Sequence, residues 1–489
     1  MRFEMRVMRR SFDLPLLVCF GFFLSWGGSH RVFAADWQRP QVERVFEQGE
    51  ILRWMDPTLP LVDFTVTLQI GTQNDPEGKS GIAELVGYYF NTLQEDPKLR
   101  ALGASRSVSV EDDTVSFSVH GLSADRETLL AGLFDTLTIL KTKPLDFAAL
   151  EQLKSTLLKR LDHLAESPVG PVSLLFRRLS AANTPYQRGE ILSRKSIQHL
   201  TLEDFSRWCL AALSADRVWM TLSGDIGEKE FQVRATTRFR EFGFTPKKKG
   251  MVSGASLQAL SKKTKIPTAT NSIPRVTLIE QPGGAQAHIR LGFRLPQSES
   301  LRIRAAGAWV NSWLAGTSQS QIQKPLREKL PVSYGLQAQL TENPGLLTWS
   351  VLTSTRNEMV GPLVRAILEA LRDLSAQVSR QEFQIDEKTL SSVKKAFLGS
   401  YVASLGSTQT VISRWLGGEI LGFGGASGFD AWVEAIDLLT VPEIQSYLKN
   451  SFFGSPLIVV IAGDTKKIQA SLTEEKIHFS KPVNWRDLL

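Results

Sequence analysis

Cysteine is nearly absent from this chain of 489 residues, which has two, Cys19 and Cys209. Cys19 falls in an N-terminal apolar run that reads as a removable leader, so the mature chain keeps a single thiol, Cys209. One thiol closes no internal disulfide, which leaves stability to core burial, and a cysteine-based metal site is excluded. Histidine is scarce as well. The mature chain has His120, His163, His199, His288 and His478, and no two stand at metal-ligand spacing on one helix. The nearest approach is His163-Leu-Ala-Glu166; Pro168 follows almost at once, so the helix ends there and the two side chains read as exposed residues of its last turn.

A charge excess of one sign is also missing. The formal net charge is +7, but five basic and two acidic residues lie in 1–34, which leaves about +4 for the mature chain. Six lysines crowd into 247–265, so much of the remainder is local, and no basic stripe interleaved with aromatics points to nucleic acid. Hydrophobic residues make up 42% and charged residues 22%, which suits a globular chain with a full core.

Long apolar runs are confined to the N-terminus. "MRFEMRVMRR" is basic, "LPLLVCFGFFLSW" is apolar, and "RVFAADW" offers small residues for cleavage near Ala34 or Ala35. That order predicts a signal peptide over residues 1–34 and an exported, periplasmic protein. The run is short for a membrane anchor, and Val18 is bulky where a lipoprotein signal at Cys19 wants a small residue. Arg9-Arg10 followed by Phe12 resembles a twin-arginine signal, so the export route stays open.

What is present is a repeat. "HLTLEDFSRWCLAALSADRVWMTLSGD" ends at Asp225 and "LLTVPEIQSYLKNSFFGSPLIVVIAGD" at Asp464; Thr201 matches Thr440 and Gly224 matches Gly463, both 239 residues apart. A Lys, Ser, Thr, Gly and Pro-rich stretch, 245–274, separates the copies and reads as a linker between an N-terminal unit, 36–244, and a C-terminal unit, 275–475. "LVDFTVTLQIGT" and "DDTVSFSVHGL" alternate as strands do, and "SADRETLLAGLFDTLTIL" and "VGPLVRAILEALRDL" are spaced as helices. The predicted fold class is α+β: two homologous units, each a mostly antiparallel sheet with helices packed on one face. The glycine-rich "LGGEILGFGGASGF" lacks the Lys-Ser/Thr ending of a phosphate loop and does not follow a strand, so it reads as a flexible connection between helices.

The frame "GTQNDPEGKSGIAELVGYYFNTL", together with "AHIRLGFRLP", "WLAGTSQSQIQKPLREKLPVSYGLQA" and "IVVIAGD", resembles the insulinase/pitrilysin-type zinc peptidases, the inverzincins, and above all their half-length members related to the processing peptidases. The resemblance covers roughly 45–470 and implies half of a peptidase clamshell that encloses extended peptides, which would pair with a sheet edge. The family's zinc helix reads H-x-x-E-H, two imidazoles on one metal and a carboxylate that activates its water. Here that motif falls on Glu84, Gly87 and Tyr88, and the family's downstream third ligand falls near Arg160. Such a degenerate motif predicts no metal and no cofactor in this chain.

The resemblance places an Arg and a Tyr in the second unit, in a pattern like L-R-E-x-x-G-L-x-Y; "PLREKLPVSYGL" supplies Arg327 and Tyr334, with Pro331 and Val332 in place of the usual Gly and Leu. It implies that Arg327 grips substrate carbonyls or a carboxylate and that Tyr334 donates to the oxyanion of the transition state. Gly316 lies where the non-catalytic subunits of the family bring a glycine-containing loop to the peptide. The function implied is a non-catalytic, substrate-binding subunit of a heterodimeric zinc metallopeptidase, with zinc on a related half-length partner that carries H-x-x-E-H. The alternatives are a peptide-binding or structural scaffold with no part in catalysis, and an active peptidase with an unusual metal site.

Overall fold

The computed structural model describes residues 40–484 except 93–96, 143–144, 188–192, 246–275, 282, 317–319, 325, 327–334 and 454. The leader, almost all of the linker stretch, Arg327 and Tyr334 therefore lie outside the described residues.

Two six-stranded sheets carry the fold. The first contains β1 (Gln41–Phe46), β2 (Gly49–Met55), β3 (Leu61–Leu68), β4 (Ser105–Val110), β5 (Val115–Leu122) and β6 (Val218–Gly224), in the order β1-β2-β6-β3-β5-β4. The second contains β7 (Val276–Glu280), β8 (Gln286–Leu295), β9 (Gln337–Asn343), β10 (Leu346–Arg356), β11 (Ile458–Gly463) and β12 (Val483–Asn484), in the order β12-β7-β11-β8-β10-β9. From the second position to the far edge the two orders correspond strand for strand. They differ at the first edge, where β1 runs antiparallel to β2 but β12 runs parallel to β7. Most pairings are antiparallel, so the α+β class and the two similar units read from the sequence describe the structure.

The patterning explains the faces. β5, "VSFSVHGL", alternates buried with partly exposed residues. Its Phe117 and Val119 join Phe64 and Val66 of β3 in the core, while Ser116 and Ser118 turn the other way and share hydrogen bonds of 2.8 Å with Thr67 and Thr65. β6 and β11 are nearly continuous apolar runs because each is central and covered on both faces. The 239-residue register has physical content: Thr201 and Thr440 each begin a helix, with Asp204 and Glu443 accepting from their N–H groups at 3.0 and 2.9 Å. Gly224 ends β6 at φ +93°, a left-handed conformation that favours glycine. Gly463 ends β11 for another reason, since a Cβ there would lie 2.6 Å from Asn357 Oδ1.

Helices Ile82–Thr92, Arg126–Thr142, Phe147–Glu166 and Leu202–Leu213 bury one face of the first sheet, and Leu301–Ala315 and Val360–Ser379 do the same for the second. In addition, the units exchange cover. Helix Gly170–Ser180, from the first unit, packs Val172, Leu175 and Phe176 on Ile279, Val460 and Ala462 of the second sheet. Helix Thr408–Ile420, at the same place in the second unit, brings Trp415 edge-on to Trp219 of β6, with ring centroids 6.4 Å apart, and Glu419 to Arg217 at 2.7 Å.

Candidate functional site

Helix Ile82–Thr92 holds the degenerate motif. Its entry is fixed by Asp75, whose carboxylate accepts from the N–H groups of Gly81 at 2.7 Å and Ala83 at 3.2 Å. Ile82, Leu85, Val86 and Phe90 face the core, and Tyr89 lies edge-on to Phe90 and Phe205. The helix persists because this stripe needs burial.

The structure brings three of the four motif positions together. Arg160, on helix Phe147–Glu166, donates from Nη1 to Glu84 Oε2 at 2.5 Å, and its Cζ lies 5.8 Å from the centre of the Tyr88 ring. Burial alone would lower the pKa of this guanidinium, but Glu84 and Tyr88 outweigh it and hold the net shift upward. Gly87 is buried, and a Cβ there would lie 2.6 Å from Val110 Cγ2 of β4. A cation that is already part of the protein thus meets Glu84, and a methyl of Val110 packs against the position of Gly87. No imidazole is present, so the donor set does not fit zinc. Among the described residues no group of three or more His, Cys, Asp or Glu is placed to hold a metal ion.

Beside this pair opens a cleft of about 600 Å³, bounded by Glu84, Arg160 and Arg177 on one side and by Arg290, Gln339 and Asn343 on the other. Arg177 donates to Asp112 at 2.5 Å, and the Tyr186 hydroxyl to Asp113 at 2.7 Å. Asn343, at the end of β9, donates from Nδ2 to both Asp112 (3.2 Å) and Asp113 (3.1 Å), which ties the second sheet to the β4–β5 turn of the first. Arg290 donates to Gln339 and Ser350, each at 3.1 Å, and stacks over Phe176. Charges of both signs and amide groups line the walls, which suits the mixed polarity of a peptide.

Burial pushes the Asp113 carboxyl up to about 6; its hydrogen bonds from Tyr186 and Asn343 oppose the shift, and the neighbouring Asp112 adds to it. The folded state therefore holds this proton more tightly than the unfolded chain does. Between about pH 3.8 and 6 the folded protein binds more protons, so stability falls as the pH rises through that window. Asp113→Asn cannot titrate and should flatten that part of the slope, leaving the share of Asp75, which burial raises to about 7. Urea unfolding midpoints measured across the window check this, and an unchanged slope would refute it.

Sequence reasoning missed Asn91. Its side-chain amide donates to Val108 O at 2.9 Å and accepts from Val108 N–H at 2.8 Å, so it occupies both outward groups of that residue on the edge strand β4. Gly316 caps helix Leu301–Ala315, its N–H donating to Ser312 O at 3.0 Å, and it is not among the described residues that line the cleft. His163 and Glu166 are exposed in the last turn of their helix.

Residues 199–388 match the family model described as the peptidase M16 inactive domain. That stretch is similar to a peptidase M16 inactive domain. The M16 fold extends over most of the chain's length. A peptidase M16 inactive domain from Pseudomonas fluorescens superposes with a TM-score of 0.69 at 19% identity, covering 87% of this chain and 98% of that one. A protease from Helicobacter pylori gives 0.70 at 14% identity, covering 87% and 99%. The periplasmic protease PqqL from Escherichia coli gives 0.63 at 12% identity, covering 87% of this chain but 46% of its own, so the M16-type chain spans about half the length of that enzyme. No curated protein matches the sequence. The chain thus has a peptidase-like fold, and its matched stretch resembles the inactive domain of such proteins. Among its described residues no helix is long and apolar enough to cross a membrane.

Proposed function

We propose that this chain is the non-catalytic, substrate-binding subunit of a heterodimeric zinc metallopeptidase that acts on exported or periplasmic peptides. One observation supports the reading: an Arg160–Glu84 ion pair, at positions that the resemblance gives to metal ligands, lies on the wall of a cleft large enough for a peptide segment. The fold and its cleft are kept while the hydrolytic centre is replaced. In this reading residues 1–34 are the leader, 36–244 and 275–475 are the two units, and 245–274 links them. Arg327 and Tyr334 bind substrate and transition state, Gly316 belongs to the substrate loop, and zinc sits on a related half-length partner with an intact H-x-x-E-H.

A second reading, a peptide-binding or structural scaffold without a part in catalysis, is favoured by the Asn91 amide. It closes the middle of the β4 edge on which an extended peptide would otherwise pair. The fold by itself is compatible with both readings.

Purifying the mature chain alone and together with such a partner, and assaying zinc content and cleavage of a fluorogenic peptide, separates them. The chain alone should contain no stoichiometric zinc and cleave nothing; the pair should hold zinc and turn over faster than the partner alone. Stoichiometric zinc in the isolated chain would sink the proposal, and a pair no faster than the zinc-bearing partner would favour the scaffold.

A further inference from the structure

Helix Leu301–Ala315 follows β8 as the degenerate-motif helix follows β3, so it occupies the corresponding place in the second unit. Against it lies a separate cavity of about 330 Å³, walled by β9, β10 and the glycine-rich stretch that the sequence suggested was only a connection. This volume falls within the range of small-molecule pockets, about 300–1,000 Å³. The walls are largely apolar, with Leu301, Leu340, Phe423, Phe429 and Trp432 among them.

Among the polar side chains that line this cavity, Arg304, Glu342 and Tyr447 stand largely buried. The Arg304 side chain is 9% exposed, is ion-paired with Glu342 and lies with its Cζ 3.5 Å from the centre of the Phe423 ring. Its Nη1 is buried and makes no hydrogen bond. Tyr447 is 5% exposed, and its hydroxyl is likewise buried without a partner. Gly307, one turn beyond Arg304, lets that hydroxyl approach the helix, since a Cβ there would lie 2.8 Å from it. Buried polar groups are nearly always satisfied in folded proteins, so two unmet groups on the wall of one apolar cavity call for an explanation.

A guanidinium N–H and a phenol O–H both donate, so the missing group is an acceptor. Glu342 already neutralises Arg304. Arg414 also lines the cavity, but it is exposed and turned to Ser404 and the Tyr401 ring. Beside Arg304 and Tyr447 a second anion would leave an uncompensated buried charge, which is costly, so the acceptor there is neutral. We infer that this cavity is a binding site for a neutral, apolar small molecule whose amide or ester carbonyl oxygen accepts from Arg304 and Tyr447. The apolar walls take its hydrocarbon part.

Octanamide, octanoate and octylamine titrated into the mature full-length chain, followed by calorimetry or ligand-observed NMR, test this. Octanamide should bind with a Kd below about 1 mM. Octanoate and octylammonium should bind at least about tenfold more weakly, because each adds an unpaired charge. Tyr447→Phe removes a hydroxyl with no partner in the protein, so its Tm should be unchanged or higher while octanamide binding weakens about tenfold. That split separates a ligand contact from a structural role. Ala308→Trp, which fills the cavity, should abolish binding; if circular dichroism shows that it does not fold, Gly417→Leu replaces it, since a Cβ at Gly417 meets nothing within 4 Å. The inference is overturned if octanamide fails to bind at about ten times that concentration. It is equally overturned if octanoate binds as well as octanamide, or if Tyr447→Phe leaves the Kd unchanged.

Discussion

Tyr334→Phe should lower kcat of the assembled peptidase by about 10²–10³-fold, the usual loss on removing one oxyanion donor. The substitution deletes a single O–H and keeps the ring. If that O–H meets charge only as the tetrahedral oxyanion develops, KM should hardly move and the loss should fall on kcat. The zinc content of the pair should not change, because the proposed function puts the metal on the partner. Arg327 has a different task in the same reading: a guanidinium that grips a ground-state carbonyl or carboxylate acts on substrate before reaction, so Arg327→Ala should raise KM as well. Steady-state kinetics on the co-purified pair decides the matter, and an unaltered kcat for Tyr334→Phe removes this chain from the chemistry.

Gly87→Glu, the central step of any attempt to rebuild a zinc peptidase motif on this helix, should destabilise the protein by about 3 kcal/mol or more. Two effects oppose each other. Replacing glycine within a helix gains up to about 1 kcal/mol in propensity. Against that, the new Cβ would sit 2.6 Å from Val110 Cγ2, and a carboxylate would enter a buried position without a partner. Overpacking and an unpaired buried charge outweigh the propensity gain. Val110→Ala in the same chain should recover part of the loss by vacating the methyl. Urea unfolding of the unsubstituted chain and the two variants measures both steps; a neutral Gly87→Glu would show that the β4 valine does not guard this position. Restoring the motif on this helix would therefore take more than an exchange of side chains, because Val110 of β4 packs against the position of residue 87.

Much of the architecture was legible in the sequence. Period-two alternation in β3 and β5 set their faces, and Thr201 with Thr440 marked equivalent helix starts 239 residues apart. The family frame suggested only that Glu84 and Arg160 belong to one degenerate site; their ion pair was not foreseen, since 76 residues separate them and neither carries a local signal of the other. Three features had no signal that could be read. An asparagine near the end of a helix does not announce that its amide will close a strand edge seventeen residues on, as Asn91 does. Val172, Leu175 and Phe176 read as one more apolar helical stripe, and periodicity cannot tell which sheet will receive it. The glycines near 416–429 lower helix propensity, which suggests a connection; that they leave room for a cavity depends on Arg304 and Tyr447, from distant parts of the chain.

The reciprocal covering of each sheet by a helix from the other unit has a mechanical consequence. Phe176 sits on the second sheet and Trp415 on the first, so drawing the units apart would strip apolar surface from both at once. Such reciprocal packing opposes a hinge between the two units. If the proposed function holds, the gap that admits a substrate would open along the seam with a second polypeptide rather than between these two units.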